Sequence, residues 1–262
     1  MQLIDTHCHL DFPVFEPDRE ALLAQWRQLG VGEYIIPAVG EENWTRVISL
    51  AERHASIAYG LGIHPWHVGA QAPDVLARLH ALLASRPCGL VAVGECGLDL
   101  RSQVPQEGQV EIFEAQIRLA MKHELPLIVH SVRANDTVAK ILRRFKPAAG
   151  GVIHAFSGSL HQAKVFWQLG FRLGIGGVIS YERANKTREA IRDMPLEALL
   201  LETDAPDMPL QGRQGEPNTP ASLPVIAQLL AELRQQPLED VISVLHESTL
   251  RAFPRMEREI NS

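Results

Sequence analysis

Cysteine is scarce in this 262-residue chain: Cys8, Cys88 and Cys96 are the whole complement, and none forms a C-x-x-C pair. Without that spacing they read as free thiols, which suits a reducing compartment. Long apolar runs are also missing. No stretch of about 18 uncharged apolar residues occurs, so no membrane-spanning helix is expected. The opening "MQLIDTHCHL" has neither a basic leader region nor a long apolar segment, which argues against secretion. The expected location is the cytoplasm. Net positive charge is lacking too, the formal balance being −6. That excludes a broad basic surface for long duplex DNA but leaves room for a local site at a strand end. No linker, low-complexity tract or fixed-length repeat divides the chain, so residues 1–262 are expected to form one domain.

What is present is a regular alternation. Apolar residues make up 46% of the chain, ample for a large core. Eight short, β-branched apolar runs recur: residues 3–5, 34–39, 57–63, 90–95, 126–130, 150–156, 171–177 and 199–203. Between them lie segments such as "DREALLAQWRQLG", "EENWTRVISLAERH" and "QVEIFEAQIRLAMKHE". Their apolar residues return every three or four positions, the spacing of amphipathic helices. Gly30 and Gly170 stand where such helices should stop. After the eighth run, Asn218 or Thr219 is placed to cap a further helix, with Pro220 in its first turn. Another helix is expected near 237–250. Buried strands alternating with helices imply a parallel sheet. Eight repeats of that unit point to an α/β fold of the (β/α)8 TIM-barrel type, which reaches about 250 residues as one unit. An open doubly wound sheet is the alternative. The Pro- and Gly-rich segment 204–220 follows the last strand and should hang over the barrel mouth.

Against that frame the eleven histidines sort into two groups. His54, His80, His123, His161 and His246 fall on helices and read as surface residues, and His67 falls in a loop. His7, His9, His64, His130 and His154 fall at or just past strand ends. Glu95 and Asp204 also end strands. In such a barrel the carboxyl ends of the strands form the active face. Each signal is weak alone. H-x-H puts His7 and His9 on one face of a strand but is common without a metal. His130 and His154 each resemble hydrogen-bonded core histidines, and Asp204 could simply start a turn. Glu95, after a buried apolar run, is costly to desolvate unless partnered. Together, six ligand-type residues at matching ends of five strands indicate a metal site. Six protein ligands exceed what one tetrahedral zinc accepts. Two divalent ions sharing a bridging carboxylate, roughly 3.5–4 Å apart, fit better. Glu95 is the natural bridge, with His7 and His9 on one ion and His130 and His154 on the other. Asp204 could ligate the first ion and also accept or return a proton.

The motifs carrying these residues resemble a known family. "LIDTHCHLD", "VAVGECGLDL", "PLIVHS", "IHAFSGS" and "LLLETDAP" are similar to the successive motifs of TatD-type metal-dependent deoxyribonucleases, a (β/α)8 branch of the amidohydrolase superfamily. "GIHPW" is similar to its third-strand motif. "GGVISYERANKTREAI" and "PDMPLQGRQGEPN" resemble a YjjV-like bacterial branch. The resemblance spans nearly the whole chain. It implies that His7, His9, Glu95 and Asp204 hold one ion, that Glu95, His130 and His154 hold the second, and that His64 lies near the substrate phosphate. The implied reaction is hydrolysis of DNA phosphodiester bonds, often from an end, with magnesium or another divalent ion. The chain departs from the pattern at Val132, where the family often has arginine. Arg133 follows, so either it grips the phosphate instead or the substrate differs. Cys96, after the bridging glutamate, and Cys8, between the two histidines, read as buried apolar packing.

Three functions compete on this reading. The first is a nuclease taking DNA ends or short nucleic acid, helped by Arg133, Arg183, Lys186 and Arg213 near the mouth. The second is a small-molecule phosphoester or amide hydrolase, because fold and metals do not select a substrate. The third, a metal-binding protein without turnover, fits poorly with a complete ligand set. Histidine-rich ligation suits zinc or manganese, whereas a nuclease role suits magnesium. Without heptads or an apolar exposed helix, a monomer is expected.

Overall fold

The computed structural model describes residues 2–256. Eight strands form one sheet: β1 (Leu3–Asp5), β2 (Val31–Pro37), β3 (Ile57–Leu61), β4 (Leu90–Asp99), β5 (Leu127–Val132), β6 (Gly151–Ile153), β7 (Phe171–Ile175) and β8 (Leu199–Leu201). They pair in sequence order, and every pair is parallel. The sheet closes on itself just past the last strand. Thr6 N–H donates to Leu201 O at 3.0 Å and Asp204 N–H to His7 O at 2.9 Å. The fold is therefore the closed (β/α)8 barrel, not the open doubly wound sheet.

Helices α1 (Arg19–Gln28), α2 (Glu41–Arg53), α3 (Val75–Ser85), α4 (Gln106–His123), α5 (Asn135–Phe145), α6 (Leu160–Gln168), α7 (Asn185–Asp193), α8 (Leu223–Arg234) and α9 (Leu238–Ala252) fill the connections and the C-terminal region. Gly30 and Gly170 follow α1 and α6 with φ of +89° and +85°, the left-handed step that ends a helix. None of the helices among the described residues is long and apolar enough to cross a membrane.

Two apolar layers follow from strand alternation. Leu3, Tyr34, Ile36, Tyr59, Val129, Ile153 and Leu173 join the helices in an outer core with Trp26, Phe113 and Phe166. Ile4, Ile35, Ala58, Val91, Ala92, Ile128, Val152 and Leu200 form a second cluster, which fills the lumen. Phe253 and Met256, after α9, belong to that lumen cluster. Side chains therefore fill the barrel, and polar residues gather past the carboxyl ends of the strands.

The cap of α8 differs from expectation. A short 3-10 turn, Pro220–Ser222, precedes the helix, and Thr219 makes no side-chain cap. Asn218 instead ties the 204–220 segment to the barrel. Its Nδ2 donates to Thr203 O at 2.8 Å and Met208 O at 3.2 Å, and its Oδ1 accepts from Ser222 Oγ at 2.7 Å. Oδ1 also accepts from Thr219 N–H at 2.9 Å, so the buried amide is fully paired.

Candidate metal centre

The first and last strands are zipped together beyond their ends. Asp5 accepts from Thr203 through both carboxylate oxygens, N–H at 2.9 Å and Oγ1 at 2.6 Å. His9 N–H donates to Ala205 O at 2.7 Å. These bonds hold the 5–9 and 201–205 segments side by side. His7 and His9 then project together while Cys8 turns into the outer core, where its thiol faces Ile35 O. Asp204 adopts φ +58°, a left-handed conformation that aspartate tolerates better than most residues. Its Oδ1 lies 3.5 Å from His7 Nε2 and 3.6 Å from His9 Nε2.

Glu95 sits on β4 beside an irregularity in the β4–β5 register, between Val93 and Cys96. Such a bulge re-aims side chains locally. The Glu95 carboxylate is almost fully buried, and its two oxygens face different partners. Oε2 lies 3.3 Å from His7 Nε2 and 3.8 Å from His9 Nε2. Oε1 lies 2.8 Å from His130 Nδ1, 3.4 Å from His154 Nε2 and 3.5 Å from His64 Nε2. The structure thus brings all seven sequence-identified residues into one cluster. Cys96 stays out of it, its thiol directed at Ile128 O.

Charge in the cluster is set by burial against proximity. Burial works against the Glu95 carboxylate, yet His64, His154, His7 and His130 hold it well below the usual carboxylate range. Burial likewise opposes a charged His154, but Glu95, Asp204 and Glu202 push it up to about 10. His64 goes the other way. Burial outweighs the pull of Glu95 and, with repulsion from neighbouring histidines, brings it down to about 3. His64 is therefore neutral. Trp66 N–H donates to its Nδ1 at 3.1 Å, so its proton resides on Nε2.

The donor set fits a divalent cation. Three triads converge with their donor atoms within 4.8 Å of one another: His7–His9–Glu95, His64–Glu95–His130 and His7–His154–Glu202. Both ring nitrogens of His7 and Nδ1 of His9 are buried and make no hydrogen bond among the described residues. Buried polar atoms are rarely left so, and imidazole nitrogens facing carboxylates are what such a cation binds.

Sequence reasoning overlooked four further side chains. Glu202 is fully buried, accepts from Ala155 N–H at 2.5 Å and lies 3.3 Å from His154 Nδ1. Its only signal was adjacency to Asp204 in "ETDAP". Asp99 ends β4 and accepts from His130 Nε2 at 3.2 Å and from the Trp66 indole N–H at 2.7 Å. Trp66 and Arg101 line the cavity above the cluster. That cavity is about 780 Å3 and is also walled by Phe12, Val39, Val104, Val132 and Met208. Arg133, Arg183, Lys186 and Arg213 do not line it. Arg133 is exposed, with φ +55°, and the Arg183 guanidinium lies over the Tyr181 ring at 5.1 Å.

A closed (β/α)8 barrel with a histidine–carboxylate cluster at its mouth defines a metal-dependent hydrolase. The family is settled by comparison: residues 4–254 match the model of the TatD related DNase family, and the chain belongs to it. It is 46% identical to the metal-dependent hydrolase YjjV of Escherichia coli K12 over 96% of this chain and 98% of that protein. The crystal structure of that Escherichia coli protein superposes with a TM-score of 0.94. A 3'-5' ssDNA/RNA exonuclease, TatD of a Pantoea species, is 33% identical over 90% of this chain and 94% of its own. A TatD family hydrolase of Entamoeba histolytica shares the fold, with a TM-score of 0.87 at 17% identity.

Proposed function

We propose that this hydrolase is a nuclease that cleaves phosphodiester bonds at the ends of single nucleic-acid strands, using two divalent ions. One observation carries the reading: the two oxygens of Glu95 face two different sets of histidines. On this reading His7, His9, Glu95 and Asp204 would hold one ion, and Glu95, His130 and His154 the other. When bound, the ions would polarise a phosphoryl oxygen and acidify water, with magnesium, manganese or zinc all able to serve. Asp204, beside His7 and His9 at the mouth, accepts the proton of the attacking water and returns it to the leaving oxygen. His64 lies on the cavity wall with Nε2 3.2 Å from His130 Nδ1, and would offer the Nε2 proton to a phosphate oxygen in place of that contact. Glu202 holds His154 from behind, and Asp99 holds His130. Three unpaired cysteines suit a reducing cytoplasm, and the protein acts as a monomeric single domain.

A second reading has its own observation. Much of the exposed cavity surface is apolar, and Arg101 is its one lysine or arginine among the described residues, which also suits a small phosphoester or amide. The test uses metal-stripped protein and end-labelled single-stranded DNA, with magnesium, manganese or zinc restored in turn. His130→Ala controls for a contaminating nuclease. Metal-dependent shortening by the native protein alone is expected. No shortening with any ion, despite bound metal, overturns the nuclease reading in favour of a small substrate.

A further inference from the structure

We propose that Trp66 and Arg101 form a nucleobase-and-phosphate subsite beside the histidine cluster, which holds one nucleotide of a single strand. The inference rests on the nuclease reading above. Trp66 is 61% exposed, more than the other exposed large hydrophobic residues. Its indole is nevertheless not free to swing. Nε1–H donates to Asp99 Oδ2 at 2.7 Å, and the ring stands edge-on to His64, centroids 5.1 Å apart at 85°.

Asp99 is buried and shares its carboxylate three ways. It accepts from the indole, from His130 Nε2 at 3.2 Å and, through Oδ1, from Arg101 N–H at 2.8 Å. One buried carboxylate therefore fixes the exposed ring, the backbone under Arg101 and a histidine of the cluster relative to one another. An aromatic face held in place before binding loses little freedom when a ligand arrives. Nucleobases stack on such faces with little regard to sequence.

Arg101 supplies the charge. It is the one lysine or arginine lining the cavity, and its guanidinium makes no ion pair among the described residues. Guanidinium suits phosphate through its fixed fork of donors. Val39, Val104 and Val132 give the wall apolar patches fit for the faces of base and sugar, set among Ser102, Gln103, Ser131 and Asp207. A cavity of about 780 Å3 lies in the range of small-ligand sites, so it takes an end of a strand and not a helix.

The experiment compares native protein with Trp66→Ala, Trp66→Phe and Arg101→Gln. The metal-loaded proteins are given a short DNA strand, or the same strand abasic at its last nucleotide. Trp66→Ala should raise KM on the intact strand about tenfold with little change in kcat. Trp66→Phe should recover most of the loss. On the abasic strand native protein and Trp66→Ala should differ by less than about twofold. Metal-free protein gives an independent readout: the intact strand should quench tryptophan emission, and Trp66→Phe should abolish the quench. Arg101→Gln should lower the salt slope of that binding by about 0.7. Cleavage by native protein with an unchanged KM in Trp66→Ala, and no quench, overturns the subsite and leaves the nuclease reading standing. Quenching without cleavage supports the subsite and removes the nuclease reading. Neither cleavage nor quenching overturns both.

Discussion

Glu202→Gln removes a charge and almost no volume, so it isolates what this carboxylate does for His154. Glu202 is fully buried, and its Oε2 sits against Gly174, where a Cβ would lie only 2.0 Å away. Oε1 accepts from Ala155 N–H at 2.5 Å and lies 3.3 Å from His154 Nδ1. That contact keeps a proton on His154 Nδ1, so a cation arriving at Nε2, 3.4 Å from Glu95 Oε1, displaces only the proton held there. A carboxylate behind a metal-binding histidine typically contributes 10- to 100-fold in affinity, or about 1.4–2.7 kcal/mol. The glutamine can keep its oxygen on Ala155 N–H, so the fold should survive. Titration calorimetry of metal-stripped protein with manganese should show one site weakened by about 10- to 100-fold and the other close to native. Native affinity at both sites would refute the reasoning. A loss far beyond 100-fold would instead make Glu202 a direct ligand, as the His7–His154–Glu202 triad also permits.

On the proposed two-ion reading, Glu95→Ala should abolish both tight metal sites and hydrolysis while circular dichroism stays native; normal activity in that variant sinks the proposed bridging role. Metal removal should lower stability, because ligands that bind only the folded state stabilise it by mass action. At a hundredfold excess over Kd the difference is about 2.7 kcal/mol, and equal melting temperatures with and without chelator would contradict it. Phe253→Ala empties a fully buried position in the lumen cluster. It should cost about 3–5 kcal/mol, read as a smaller urea midpoint at unchanged slope.

The strands were legible because buried parallel strands read as short β-branched runs, and the observed ends differ by only a few residues. Legible strand ends made the metal-capable residues legible too: in a barrel of this topology, position along a strand converts directly into position at the mouth. What escaped was whatever depends on how connections fold. Asp99 lay beyond the expected end of β4, which runs to Asp99 and not to Glu95. Trp66 stands in a 3-10 turn, Pro65–Ala70, whose direction no periodicity encodes. The four basic residues named as neighbours of the mouth were placed by proximity along the chain. Neither Arg133, which is exposed, nor Arg183, whose guanidinium lies over the Tyr181 ring, lines the cavity.

This division has a physical basis that bears on substrate choice. The reacting centre is written at strand ends, where backbone geometry leaves a side chain little freedom. His7, His130 and His154 could hardly point elsewhere once the barrel closes. The rim is written in the β4–α4 and β3–α3 connections, which supply Arg101, Val104 and Trp66. On the proposed reading, chemistry and selection meet at Asp99, whose carboxylate touches His130 on one side and the Trp66 indole on the other. A change in the Asp99 carboxylate therefore reaches the indole and His130 together. Asp99→Asn, which keeps the shape but weakens both bonds, should consequently alter KM through the freed indole and kcat through His130 together. Trp66→Ala should move KM alone. If Asp99→Asn shifts only one of the two constants, the rim and the centre are independent, and the coupling through this carboxylate is wrong.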